Sequence, residues 1–193
     1  MARLPYLSRE EVPEELRQEY DHIHRTRAAV EPLAEMPRTY RLLFNSPRLA
    51  VLLARVGEYF RFQSSLDPVV RETAILATAK EVGSQYEWTH HEHVARRLGV
   101  RDEVIEAIRS GRAPMGLPPK EGVFAQVARE MVRDGGLSPR TFQAVLHLLG
   151  PEQTVDLVAL VGFYSMLARV FNALGLELEE DLEPLLPQEG SAD

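Results

Sequence analysis

The stretch DPVVRETAILATAKEVGSQYEWTHHEHVARRLG, Asp67 to Gly99, decides the fold. Asp67-Pro68 sets a capping residue before a proline suited to the first helical position, and Gly83 falls where the apolar periodicity stops. Ser84 and Glu87 are spaced as a capping box, S-x-x-E, which starts a second helix at Gln85 and carries it to Gly99. Two helices joined at Gly83 can pack antiparallel.

Side-chain direction within this hairpin sorts its histidines. On the second helix, positions 84, 87, 88, 91, 94, 95 and 98 share one face, reading Ser, Glu, Trp, His, Val, Ala, Leu. Positions 89, 90, 92, 93, 96 and 97 read Thr, His, Glu, His, Arg, Arg, a solvated surface. His91 therefore points toward the core, and His90 and His93 toward water or a neighbouring subunit. The first helix carries an apolar stripe of Val69, Ile75, Leu76, Ala79 and Val82 with Glu72 in its middle. An acid there must be paired, hydrogen-bonded or raised in pKa, since burying a bare carboxylate costs several kcal/mol. Glu72, Glu87 and His91 thus converge on one partly buried acid–base site. Blander readings stay open: Glu87 as the capping-box partner alone, His91 as a satisfied core histidine, Glu72 as an acid favoured by the helix dipole.

The same punctuation recurs along the chain. Ser46-Pro47, Ser138-Pro139 and Gly150-Pro151 open helices, while Gly99, Gly111, Gly135 and Gly175 close them. The spacing predicts helices near 9–28, 37–44, 47–62, 68–82, 85–98, 102–110, 121–134, 138–149 and 151–174. No run alternates with period two, so the fold class is all-α. Arg112 to Lys120 is the main loop and divides the chain into two halves. Each half opens a helix with Leu-Asp/Ser-Pro and closes one with Leu-Gly-aliphatic (Leu98-Gly99-Val100 and Leu174-Gly175-Leu176). Two related halves and a chance likeness both fit this. We expect a single helical domain over 1–185 and a disordered tail over 186–193.

Composition narrows the function. A chain of 193 residues supports one well-buried core rather than two comfortable domains. The formal charge of -7 argues against nucleic acid or an anionic membrane as partner. The chain has no cysteine, which removes disulfides, thiolate nucleophiles and dithiol redox cycles. The most apolar run, Leu157 to Ala168, is shorter than the roughly 20 residues of a spanning helix. No export signal is visible, so the expected compartment is the cytoplasm.

At these residues the sequence resembles the carboxymuconolactone decarboxylase family, whose wider fold includes the alkylhydroperoxidase D-like (AhpD-like) proteins. The peroxidase branch carries Glu-x11-Cys-x2-Cys-x3-His, and the same spacing here reads Glu72, Ser84, Glu87, His91. Tyr86-Glu87-Trp88 with His91, Ala95 and Gly99 is similar to the cysteine-free branch. So are Pro37–Ala50, Gly162-Phe163-Tyr164, Ala168-Arg169 and Asn172–Gly175, so the likeness spans residues 35 to 177. It implies an all-helical, cofactor-free protomer that assembles into trimers or hexamers, and we expect no metal ligands in the chain. It also implies a carbon–carbon lyase acting on a small carboxylated, lactone-like substrate. Glu72, Glu87 and His91 would be catalytic, and Tyr86, Trp88, Tyr164 and Arg169 would line the substrate. Arg169 is either a carboxylate clamp or the partner of a core acid such as Asp156 or Glu72. Thiol peroxidase chemistry is excluded, because serine and glutamate cannot cycle between thiol and disulfide.

Two rivals remain. Glu87-x-x-His90 and Glu19-x-x-His22 match the Glu-x-x-His element of helical di-metal proteins, although His90 falls on the polar face. A non-catalytic helical oligomer is the other, since fold does not imply function. No phosphate loop, nucleophile elbow or H-E-x-x-H motif is present, and His22, His24 and His147 are assigned no role.

Overall fold

A computed structural model of the chain describes residues 2–28, 35–111 and 119–187. Among them there is no strand; helices and helical turns carry the structure. The chain forms two compact units, Met1–Ser64 with Ala173–Glu179, and Ser65–Asn172 with Glu180–Asp193. The boundary is therefore at Ser64/Ser65 rather than at the Arg112–Lys120 loop. Residues 112–118 of that loop lie outside the described residues, and the following helix begins at Pro119.

In the first unit, α1 (Arg17–Ala28), α2 (Arg38–Leu43) and α3 (Pro47–Glu58) pack together. The expected 9–28 helix is shorter than its periodicity suggested. Pro13 interrupts it, so short 3-10 turns at Arg9–Glu11 and Glu14–Leu16 precede α1. The first of these turns has its own capping box, with Glu11 accepting from the Ser8 N–H at 2.7 Å. α3 runs into a π-helical turn, Tyr59–Gln63, closed by the Ser64 N–H to the Tyr59 carbonyl at 2.8 Å.

The second unit is built around α4 (Pro68–Val82), which packs against α5 (Gln85–Leu98), α6 (Asp102–Arg109) and α7 (Pro119–Asp134). The one-sided stripe expected for α4 is too narrow a description. Every residue from Glu72 to Ala79 is buried, because Ala74, Ala77 and Ala79 let neighbouring helices approach closely from several sides. Ile75 and Leu76, almost fully enclosed, contribute about 1.5–3 kcal/mol each by burial. Asp67 caps α4 by accepting from the Val69 N–H at 2.7 Å, and Gly83 ends it with φ of 70°.

The segment Pro139–Leu174, here α8, is broken at Gly150, whose φ of 73° and ψ of 176° are not helical. The break separates arms 139–149 and 151–174, as Gly150-Pro151 predicted. The second arm faces the α4–α5 hairpin with Leu157, Leu160, Val161, Tyr164, Ala168 and Phe171 buried. Asn172 donates to the Gly83 carbonyl at 3.3 Å. On the same arm Val155 is 67% and Met166 40% exposed within one chain. By length and apolarity alone α8 would also suffice to cross a bilayer, so the bound drawn from Leu157–Ala168 was too tight. Its apolar positions are nonetheless the ones this unit uses for its core.

The C-terminal segment closes over the other side of α5. Leu185 donates its N–H to Thr89 Oγ1 at 3.2 Å, its carbonyl accepts from Arg109 at 2.6 Å, and Leu186 is buried. Of the expected tail, 186 and 187 are among the described residues, and 188–193 lie outside them.

Two glycines with open space around a built Cβ test this backbone account. Gly83→Ala should cost about 1–2 kcal/mol from left-handed strain, whereas Gly162→Ala, inside α8 with no positive φ, should stabilise by about 0.5–1 kcal/mol. Urea unfolding midpoints of the two variants check the opposite signs.

Candidate active site

Four charged side chains line up at the α4–α5 hairpin. Arg71 Nε donates to Glu72 Oε1 at 3.0 Å, and His91 Nδ1 meets Glu72 Oε2 at 2.7 Å. His91 Nε2 faces Glu87 Oε2 at 3.4 Å across one turn of α5. The signs alternate along this chain, so each buried charge has an opposite neighbour. Glu72, Glu87 and His91 are all buried, at 3%, 6% and 8% exposure. The three residues expected to converge are therefore brought together.

The protonation state follows from competing effects. Burial alone would push His91 down, but the Glu72 carboxylate, with help from Glu87, outweighs it and holds the imidazolium up to about 9. Burial alone would push Glu72 up, but His91 and then Arg71 hold its carboxyl below the usual range. At neutral pH the pair is ionised, and both ring nitrogens of His91 carry protons.

Glu87 does not act as a cap. Ser84 is the N-cap of α5 by position, yet its side chain makes no capping bond, and its buried Oγ has no partner. The capping-box reading is corrected: Glu87 gives up the Ser84 N–H for His91, and the Ser84 N–H bonds to the Ala79 carbonyl at 2.8 Å instead. The two helices are joined too tightly for both to occur.

The four residues expected to line a substrate separate. Tyr164 stands edge-on to the His91 ring with centroids 5.1 Å apart. Tyr86 lies against His90 at 4.3 Å and Phe171 at 6.3 Å. Trp88 is fully enclosed, donates Nε1 to Glu92 at 2.7 Å and is covered by Arg109, which leaves it no surface for a ligand. Arg169 is exposed and bonds back to the Ser165 carbonyl at 3.0 Å and to its hydroxyl. It pairs with neither Asp156 nor Glu72, because the buried stripe of α8 leaves position 169 on the outer side. The cation on Glu72 is Arg71, whose only sequence signal was a basic residue directly before the buried acid.

The polar face assigned to α5 also needs correction. Thr89 and Glu92 are buried, and Glu92 gathers Trp88, Arg96 at 3.0 Å and Arg109 at 2.6 Å. A single-helix pattern could not foresee α6 and the C-terminal segment closing over that face. The Glu-x-x-His pairs are split as well. Glu87 turns to His91, Glu19 to Arg55 and His22 to Glu58, and no metal-binding group of three or more His, Asp or Glu occurs among the described residues.

Residues 47–130 match the model of the carboxymuconolactone decarboxylase family, the segment that holds the hairpin and all three converging residues. Over that segment, less than half of the chain, the sequence is similar to that family. The chain also has AhpD-like structural neighbours. One is the alkylhydroperoxidase AhpD core of an uncharacterized peroxidase-related protein from Ralstonia eutropha JMP134. It has 16% identity and a TM-score of 0.75, with 93% of each chain covered. Another is a cysteine-to-alanine variant of the debrominase Bmp8 in complex with 2,3,4-tribromopyrrole. It has 14% identity and a TM-score of 0.70, covering 88% of this chain and 90% of the other. At such identities the likeness establishes the fold. No curated protein matches the chain significantly.

The His91 shift predicts a pH window of stability. Its folded value, about 9, lies above the ordinary 6.5, so its contribution is complete below 6.5 and is lost as pH rises through about 9. That contribution is on the order of 3 kcal/mol. Glu72, held low, contributes above the ordinary carboxylate range and loses its share as pH falls through its depressed value. Ring NMR should show His91 titrating near 9, and Glu72→Gln should drop it to or below the ordinary value. Titration near 6.5 in both proteins would contradict this assignment.

Proposed function

We propose that this chain is a cofactor-free acid–base enzyme, a carbon–carbon lyase acting on a small carboxylated, lactone-like substrate. The observation that carries the reading is the buried Glu72–His91 contact at 2.7 Å with Glu87 on the other ring nitrogen. Decarboxylation next to an unsaturated lactone leaves a dienolate that needs stabilisation and then a proton. A charged imidazolium flanked by two carboxylates stores such a proton near neutral pH. Arg71 keeps Glu72 ionised, which keeps His91 loaded. A thiol route is closed to a chain without cysteine, whatever its structural neighbours do.

The test is turnover of γ-carboxymuconolactone. His91→Gln should lower kcat by roughly 100- to 10,000-fold, while His90→Gln and His93→Gln stay near wild type. Equal effects from all three variants would remove the acid–base assignment.

We also propose that the protein works as a homo-oligomer, a trimer or hexamer. The support is an apolar row on α3 and its π turn, where Leu49, Leu52, Val56, Tyr59 and Phe62 are each 37–63% exposed at helical spacing. Leu52→Glu should shift the mass seen by light scattering toward the monomer. A wild-type protein that is already monomeric at micromolar concentration would count against the proposal.

A further inference from the structure

We propose that the first unit holds a ligand site of its own, a carboxylate site built on Arg27 and His24 between α1, α2 and α3. It uses no residue of the hairpin row and does not rest on the lyase reading above.

Helical spacing decides which side chains α1 turns inward. Tyr20, Ile23 and Arg27 are buried, at i, i+3 and i+7, and His24 lies one turn before Arg27 on the same side. Arg27 is 7% exposed, the one buried arginine among the described residues. Its guanidinium is poorly satisfied there. One Nη donates to the Ala54 carbonyl of α3 at 3.5 Å, the far limit of a hydrogen bond, and the Tyr40 ring of α2 lies 5.0 Å away. The buried Nε has no acceptor, and neither has the buried Nε2 of His24.

No carboxylate among the described residues pairs with Arg27. Glu19 is held by Arg55, Asp21 by Arg9, Glu35 by Arg41, and Glu58 by His22 and Thr26. The less enclosed Arg71 and Arg109 each hold an acid, Glu72 and Glu92. A guanidinium cannot shed its proton to escape burial, and the Tyr40 face offsets only part of the cost. The missing charge is therefore that of a ligand.

The donors select its class. Nε and an adjoining Nη form a flat fork matched to the two oxygens of a carboxylate, and His24 adds a third donor from one side. A phosphate, doubly charged and with more oxygens to satisfy, asks for more donors than two residues supply. His24 and Tyr40 are only partly buried, so the fork lies near the surface of the unit, within reach of a small monocarboxylate.

The test titrates the full-length protein with sodium acetate, and with sodium chloride at equal ionic strength, following the Arg27 Nε–H and His24 ring signals by NMR. Acetate should shift both along one saturating curve with a Kd on the order of 10 mM or tighter, and chloride should give no such curve. At about 100 mM acetate Tm should rise by about 3–6 °C, the effect of a roughly tenfold excess over Kd on a chain of this size. Arg27→Met keeps the apolar stem and removes the fork, so it should abolish both the Tm rise and the His24 response, with circular dichroism verifying the fold. An Arg27 signal that does not saturate with acetate, an equal curve with chloride, or a His24 response that survives Arg27→Met would each overturn the site. Inorganic phosphate binding more tightly than acetate would overturn the carboxylate class. Should the variant fail to fold, the wild-type titration decides alone.

Discussion

The contact between Glu72 and His91 is the constraint around which the second unit is organised. A carboxylate in the middle of α4 is tolerable only because an imidazolium and a guanidinium reach it from two directions. That requirement fixes how α5 lies on α4, since His91 must come within hydrogen-bond distance of a residue nineteen positions earlier. It also fixes the join. Gly83 in the left-handed conformation turns the chain within a single residue, and the Ser84 N–H is spent on the end of α4 rather than on a capping box. The orphaned Ser84 hydroxyl is a local cost of the tight turn, of the order of 1–3 kcal/mol.

Much of this was legible beforehand. The helix-start prolines and helix-stop glycines placed most elements to within a few residues, because φ near −65° and φ above zero are demands that few other residues meet. The inward turn of His91 followed from its spacing from Trp88 and Ala95, and the anomaly of Glu72 from its aliphatic neighbours. What escaped were features set by more than one helix. Nothing in α5 alone told that Glu92 would be enclosed by Arg96, Arg109 and the C-terminal segment. Arg169 looked like the cation for the site because it sat in an apolar helix, yet the direction of that helix sends it outward. Glu87 satisfied two patterns at once, cap and site, and only the turn geometry chose between them.

The likeness of fold does not carry thiol chemistry with it. The fold is similar to that of a protein described as peroxidase-related, but this chain has no cysteine, and the resemblance drawn from the sequence sets Ser84 and Glu87 at the places of the peroxidase motif's sulfurs. A glutamate there can carry a proton and nothing heavier. Glu72 and His91 nonetheless stand paired at 2.7 Å, with Glu87 3.4 Å from the other ring nitrogen.

The C-terminal segment has a practical consequence. Thr89 and Arg109 fasten Leu185 directly to the helix that carries Glu87 and His91 and to its neighbour. Any cargo fused behind that segment would pull on those anchors and, through α5, on the spacing of the charged row. An affinity handle or fluorescent reporter belongs at the amino end, where the adjoining backbone is held by the first unit instead.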